Sequence, residues 1–207
     1  MSAIKNVIFD FGVVLYDLNQ QATHLALAEL GIKDAANIFT IQQQNNLCDQ
    51  FETGKITPTQ FFRGLQKLAG SHATEAQLKT AWEAMLLSLP QDKFLLLNEL
   101  RKNYTTMVLS NTNSTHIEKV NTALQERYKL SSINDLFDRT YLSFEVGLRK
   151  PEPAVFNHVI HDAQINPTET LFIDDLDKNI AAAHSVGINA VLYKKGDDLK
   201  ELLNKHL

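Results

Sequence analysis

Short apolar runs, each about one strand long, alternate in this chain with longer stretches of helical spacing. The runs are residues 4–9 (IKNVIF), 105–109 (TTMVL), 139–142 (RTYL), 170–173 (TLFI) and 189–192 (NAVL). Strands separated by helices must be joined by crossovers and therefore run parallel. A parallel sheet buried on both faces reads as continuous apolar runs, as these do. The expected fold is α/β, with a doubly wound, Rossmann-like parallel sheet as its core. Three of the runs stop at a small polar or acidic side chain: Asp10, Ser110 and Asp174. Ligands of open α/β sheets bind just beyond the carboxyl ends of the strands, so these positions invite chemical scrutiny.

About ninety residues separate the first run from the second, far more than one crossover helix needs. The insertion reads as helices over 19–30, 34–51, 58–68 and 74–86, with turns at Gly31, Gly54 and Gly70. Thr57-Pro58 fits an N-cap followed by proline at the first helical position, and Thr74-Glu75-Ala76-Gln77 resembles a capping box. Residues 16–90 are therefore expected to form a small helical-bundle cap domain over the strand ends. Residues 1–15 and 91–207 would form the core domain, with a helix over 91–102 leading back to the sheet.

Charge and composition narrow the function classes. Across 207 residues, 20 Lys+Arg stand against 24 Asp+Glu, a formal charge of −4, which argues against a nucleic-acid footprint. No apolar run approaches membrane-spanning length, and the first residues lack the features of a signal peptide. A single cysteine, Cys48, can form neither an internal disulfide nor a cysteine-based zinc site. The expectation is a cytoplasmic protein, a monomer or weak homodimer, acting on a small molecule rather than on nucleic acid or membrane.

Four segments then carry the chemistry: Asp10-Phe11-Gly12, Ser110-Asn111-Thr112, Arg149-Lys150-Pro151 and Asp174-Asp175. Asp10, Asp174 and Asp175 at neighbouring strand ends make an anionic cluster that repels itself unless a cation sits within it. Carboxylate and carbonyl oxygens are what a hard divalent ion prefers, which points to Mg2+. A carboxylate can also act as a nucleophile toward phosphorus. Lys150 and the Ser110 hydroxyl, with its neighbouring amides, can offset the charge of a transferring phosphoryl group. Together they suggest phosphoryl transfer from a monoester to Asp10 and then to water.

In order and spacing, these segments resemble the four motifs of the haloacid dehalogenase (HAD) superfamily, in the branch with a helical cap inserted after the first motif. FDFGVVLYD, LSNTN, GLRKPE and FIDDLDKN are more closely similar to the bacterial α-glucose-1-phosphate phosphatase type. The resemblance implies Asp10 as nucleophile and metal ligand, and the Gly12 carbonyl, Asp174 and Asp175 at the metal. It implies that Ser110, Asn111 and Lys150 hold the substrate phosphate. The implied activity is a Mg2+-dependent phosphatase of a small phosphorylated metabolite, a sugar phosphate and in particular a sugar 1-phosphate.

One position departs from the usual pattern. Most members carry a second aspartate two residues after the nucleophile as general acid, and here that position is Gly12. Losing general acid catalysis costs about 10²–10⁴-fold unless the leaving group departs easily or another group, Asp17 for example, substitutes. An anomeric oxygen leaves more easily than an ordinary alkoxide, and the glucose-1-phosphatase type shows the same glycine. The alternatives are a metal-independent 2-haloacid dehalogenase and a non-catalytic HAD-like binding protein. An acidic pair would burden the first without a metal, and the second has no use for nucleophile, metal cage and cation together. Asp177 and Asn179 read as the start of a helix, His158 and His161 as a solvated helix face, and Lys194-Lys195 as a surface pair. Cys48, Phe51, Phe61 and Phe62 read as cap core.

Overall fold

In the computed structural model, which describes residues 3–32, 46–69 and 72–207, the chain opens with β1 (Asn6–Phe9). A sharp turn leads into β2 (Asp17–Leu18), followed by α1 (Gln20–Glu29), α2 (Asn46–Glu52), α3 (Pro58–Ala69) and α4 (Glu75–Glu83). The chain returns through β3 (Leu86–Ser88) and α5 (Gln91–Leu100) to β4 (Thr105–Ser110). Then come α6 (Ser114–Tyr128), β5 (Arg139–Leu142), α7 (Ser143–Val146) and α8 (Pro153–Ala163). The last elements are β6 (Thr170–Asp174), α9 (Asp177–Ser185), β7 (Asn189–Leu192) and α10 (Leu199–Asn204).

The five apolar runs form one parallel sheet in the order β5-β4-β1-β6-β7. Alternation along each strand sends side chains to opposite faces. Val7, Phe9, Val108, Leu171 and Ile173 pack on one face with Leu97 of α5, Val120 and Leu124 of α6 and Leu203 of α10. Ile8, Met107, Leu109 and Phe172 pack on the other with Val155, Phe156 and Val159 of α8 and Ala183 of α9. Both faces are thus covered, which is why the strands read as unbroken apolar runs. The order reverses beside β1: β4 and β5 lie to one side of it, β6 and β7 to the other. That reversal opens a crevice beyond the carboxyl ends of β1 and β6.

The inserted helices build an apolar cluster of their own from Leu27, Cys48, Phe51, Phe61, Phe62, Leu65, Leu78 and Trp82. Phe51 and Phe61 stack at 4.3 Å and Phe61 meets Trp82 edge-on at 4.7 Å, contacts worth about 0.5–1.5 kcal/mol each beyond burial. Both expected helix starts carry their caps. The Thr57 hydroxyl accepts from the Gln60 amide while the Gln60 side chain accepts from Thr57, and Thr74 and Gln77 form the same reciprocal pair.

The helix expected over 74–86 stops at Glu83, and Leu86 instead begins β3. β3 pairs antiparallel with β2, so a two-stranded ribbon carries the chain out to the helices and back. Strands of two and three residues leave no readable period, which is why the spacing misassigned Leu86. Of the helix expected over 34–51, only Asn46 onward is described and is helical; residues 33–45 and the turn at Gly70 lie outside the described residues. Among the described residues no helix is long and apolar enough to cross a membrane.

Candidate active site

β1 delivers Asp10 to the crevice. Its amide donates to the Ile173 carbonyl at 2.8 Å, extending the β1–β6 ladder by one residue before the chain turns. The reversal is tight, with the Phe11 carbonyl accepting from the amides of both Leu15 and Tyr16 at 3.0 and 2.8 Å. Val13 takes a φ of 65°, a left-handed conformation costly for a β-branched residue and held here by the hydrogen bond its amide donates to the Tyr16 carbonyl. The Gly12 carbonyl accepts from the Val14 amide at 2.7 Å, which leaves one lone pair for a cation. A Cβ on Gly12 would stand 2.9 Å from Leu18 Cδ1, so a side chain there displaces the end of that leucine.

At the centre lies Lys150, only 2% exposed. Its Nζ donates to Asp10 Oδ1 at 2.8 Å and to Asp174 Oδ2 at 2.7 Å. The Asn111 side chain holds the Lys150 backbone at two points, donating to its carbonyl at 2.8 Å and accepting from its amide at 2.9 Å. Asn111 thus uses its Oδ1 and one Nδ2 hydrogen to place Lys150, which leaves the second Nδ2 hydrogen and the backbone amide to meet a ligand. Ser110 ends β4, buried, and the next loop is tied down where Ser143 Oγ accepts from the Thr112 amide and donates to the Thr112 carbonyl.

Asp174 is completely buried and uses both oxygens, because Oδ1 accepts from the Leu176 amide and from Asn179 Nδ2 at 2.9 and 2.8 Å. Asn179, expected to be only part of a helix start, is therefore a supporting residue of the site. Five residues after Asp174, on the first turn of α9, it was in range of the strand end, but a motif reading gives no reason to orient its side chain inward. Asp177, by contrast, is an exposed first residue of α9.

Carboxylate oxygens of Asp10, Asp174 and Asp175 lie within 4.8 Å of one another. Three carboxylates and one ammonium leave a formal charge of −2, which one divalent cation would balance. Burial pushes the Asp10 carboxyl up to about 7, with Lys150 opposing the rise and Asp174 adding to it. Asp175 is raised by burial and by Asp174. Burial would lower Lys150, but Asp10 and Asp174 outweigh it and keep the ammonium charged. The donor set is all oxygen: Asp10, Asp175 and the Gly12 carbonyl could bind a hard cation, and Asp174, whose Oδ1 accepts two hydrogen bonds and Oδ2 one, keeps a lone pair on Oδ2 within the same cluster. Such an arrangement can present a carboxylate to phosphorus and hold the displaced charge.

Residues of the inserted segment also pair with residues of the core. Arg149, next to Lys150, pairs with Asp49 and, at 2.9 Å, with Glu52 of α2. Trp82 of α4 donates to Asn113 Oδ1 at 3.4 Å, and its carbonyl meets His116 Nε2 at 3.2 Å. Lys93 reaches Asp17 at 3.4 Å, so the proposed substitute acid is engaged in an ion pair on the connecting ribbon. His158 and His161 are exposed on α8, and Lys194 and Lys195 are exposed near the end of the chain. Cys48 is buried in the aromatic cluster, where burial pushes its thiol up to about 12.

Comparison with known proteins adds an independent line. A family model for haloacid dehalogenase-like hydrolases matches residues 4–187. D-ribitol-5-phosphate phosphatase of Bacteroides thetaiotaomicron is 31% identical over 200 residues, spanning 97% of each chain. A solved HAD family enzyme from Bacteroides thetaiotaomicron, in complex with magnesium and inorganic phosphate, superposes with a TM-score of 0.86 at 33% identity, covering 97% of this chain and 99% of that one. A HAD-like family hydrolase from Porphyromonas gingivalis gives 0.88 at 28% identity, over 99% and 98% of the two chains.

Proposed function

This chain belongs to the haloacid dehalogenase-like hydrolases, and on that premise we propose that it is a Mg2+-dependent phosphatase of small sugar or polyol phosphates. The observation that carries the reading is the buried Lys150 ammonium bridging Asp10 and Asp174 inside a cluster of three carboxylates. A dehalogenase working without metal would have to leave that net negative charge unbalanced beside its nucleophile. The relatives support the substrate class: one is named for a polyol phosphate, and another binds magnesium and inorganic phosphate.

In this reading an oxygen of Asp10 attacks phosphorus in line, forming an aspartyl-phosphate as the bond from phosphorus to the leaving oxygen breaks. Water then displaces the aspartyl oxygen and releases inorganic phosphate, regenerating the carboxylate. Lys150, the Ser110 hydroxyl and the Asn111 amide bind the phosphoryl oxygens, and Asp174 with Asn179 fixes the lysine. Mg2+ held by Asp10, Asp175 and the Gly12 carbonyl, with Asp174 beside them, would supply further positive charge and keep Asp10 ionised at neutral pH.

Gly12 leaves the departing oxygen without a proton donor. Among small sugar phosphates we therefore place a sugar 1-phosphate first, because its anomeric oxygen leaves most readily. We also divide the chain into a core, 1–15 and 91–207, and a cap, 16–90. The separate aromatic cluster of the helices supports the division, while Tyr16 and Leu89 at the cap's two ends pack into the core. A cytoplasmic setting and a monomer or weak homodimer complete the proposal.

The test is an assay of p-nitrophenyl phosphate and 2-chloropropionate, each with and without Mg2+, followed by a panel including glucose 1-phosphate and ribitol 5-phosphate. Mg2+-dependent phosphate release is expected, with the metal also raising the melting temperature in wild type but not in Asp175→Ala. Phosphatase activity surviving exhaustive chelation, or halide release from 2-chloropropionate, would overturn the assignment.

A further inference from the structure

Arg149 and Lys150 are adjacent in sequence yet serve opposite partners. Lys150 turns into the carboxylate cluster, whereas the Arg149 guanidinium spans Asp49 and Glu52 on helix α2. Both halves of this arrangement are anchored. The backbone at Lys150 is held at two points by Asn111, and the Arg149 carbonyl accepts from the Glu152 amide at 3.0 Å. Arg149 is 9% exposed, and its side chain lies against a Glu52 side chain that is itself only 20% exposed. A second contact sits at the end of α2. Gly54 comes so close to the Phe144 carbonyl of α7 that a Cβ there would stand 2.2 Å from the oxygen. The Gly54 backbone, at a φ of 69°, is therefore seated directly on α7.

From this juxtaposition, and resting on the phosphatase reading, we propose that Arg149 is a positioning residue that locks α2, and with it the helical layer, in register with the segment carrying Lys150. A guanidinium suits the task because its rigid planar fork presents separate nitrogens to the two carboxylates, Nη1 to Asp49 and Nη2 to Glu52. The lock makes placement of the helices and placement of the phosphate-binding lysine a single event. Its guanidinium pairs with the carboxylates of α2 and not with Asp10, Asp174 or Asp175, so it acts on the reacting groups through the placement of Lys150.

The test compares Mg2+-loaded wild type with Arg149→Met, Arg149→Lys, the pair Asp49→Asn/Glu52→Gln, and all three changes together. Hydrogen exchange is followed over residues 47–55, alongside kcat and KM for p-nitrophenyl phosphate. In Arg149→Met the amides of 47–55 are expected to exchange about tenfold faster or more while those of β1, β4 and β6 stay protected. kcat/KM should fall about tenfold, with Arg149→Lys intermediate. The triple variant should be no worse than Arg149→Met, because partners in one link are not additive. Exchange within twofold of wild type, or losses that multiply in the triple variant, would overturn the proposal. Should Arg149→Met fail to fold, the Asp49→Asn/Glu52→Gln pair, which keeps the arginine, decides the matter by the same exchange criterion. Should wild type not hydrolyse the ester at all, the functional reading fails while the exchange data still judge the lock.

Discussion

Replacing Lys150 by methionine removes the ammonium at the centre of the site and keeps most of the apolar stem. Two carboxylates lose their cation, one 2.8 Å away on the partly buried Asp10 and one 2.7 Å away on the fully buried Asp174. Breaking a buried ion pair by deleting one partner costs about 3–5 kcal/mol. For a chain of this size that corresponds to a fall in melting temperature of about 6–20 °C. The loss should have a distinctive pH dependence. In wild type the Asp10 carboxyl sits at about 7, raised by burial against the pull of Lys150, while its unfolded value is 3.8. Without Lys150 it must rise further. Below pH 6 the folded forms of both proteins hold that proton, so their stabilities should run parallel. Above pH 7 wild type has released it, whereas the folded variant still binds it and the unfolded chain does not. The variant should then lose about 1.4 kcal/mol per pH unit relative to wild type. Urea titrations followed by circular dichroism, on chelator-treated protein at pH 5.5, 7 and 8.5, measure the gap. A difference below about 1 kcal/mol at pH 7, or one that does not widen by pH 8.5, would refute this account of how the cluster is neutralised.

Asp10→Asn should fold normally, since it relieves a crowded carboxylate, yet retain less than a tenth of wild-type turnover; more activity in clean protein would exclude Asp10 as nucleophile. Because Gly12 supplies no acid, kcat should be far higher for p-nitrophenyl phosphate and glucose 1-phosphate than for ribitol 5-phosphate, by about 10²-fold or more where chemistry limits the rate. Equal kcat values would show that another residue delivers the proton, and Asp17→Asn would be the next variant to measure. Burial lowers His116 to about 4 from 6.5, so the native state excludes a proton that the unfolded chain accepts. Stability should accordingly fall by about 3 kcal/mol as pH drops from 6.5 to 4. His116→Phe should flatten that part of the profile, and an unchanged slope would mean that other groups govern acid unfolding.

Much of this protein follows from local pattern. The apolar runs that became β1, β4, β5, β6 and β7 are legible because a strand covered on both faces tolerates little else, and parallel pairing follows from the helices between them. The position of Asp10, Ser110 and Asp174 at strand ends is equally a matter of chain order, and topology then requires them to share one edge of the sheet. The capping pairs Thr57–Gln60 and Thr74–Gln77 are legible because a helix start is satisfied by residues three apart. What spacing cannot encode is the direction of a side chain whose partner is distant in the chain. Asn111 faces the Lys150 backbone 39 residues away, and Arg149 reaches Asp49 across 100 residues. Asn179 turns inward only because Asp174 is already fixed by β6. The β2–β3 ribbon exists only through the pairing of its two short strands. The sequence by itself determined which elements form and which residues stand at the strand ends, because those depend on burial and on near neighbours. Only the tertiary structure decided that Lys150 bridges two carboxylates while Arg149 grips the helical layer, because a contact between distant segments is set by the packing that brings them together.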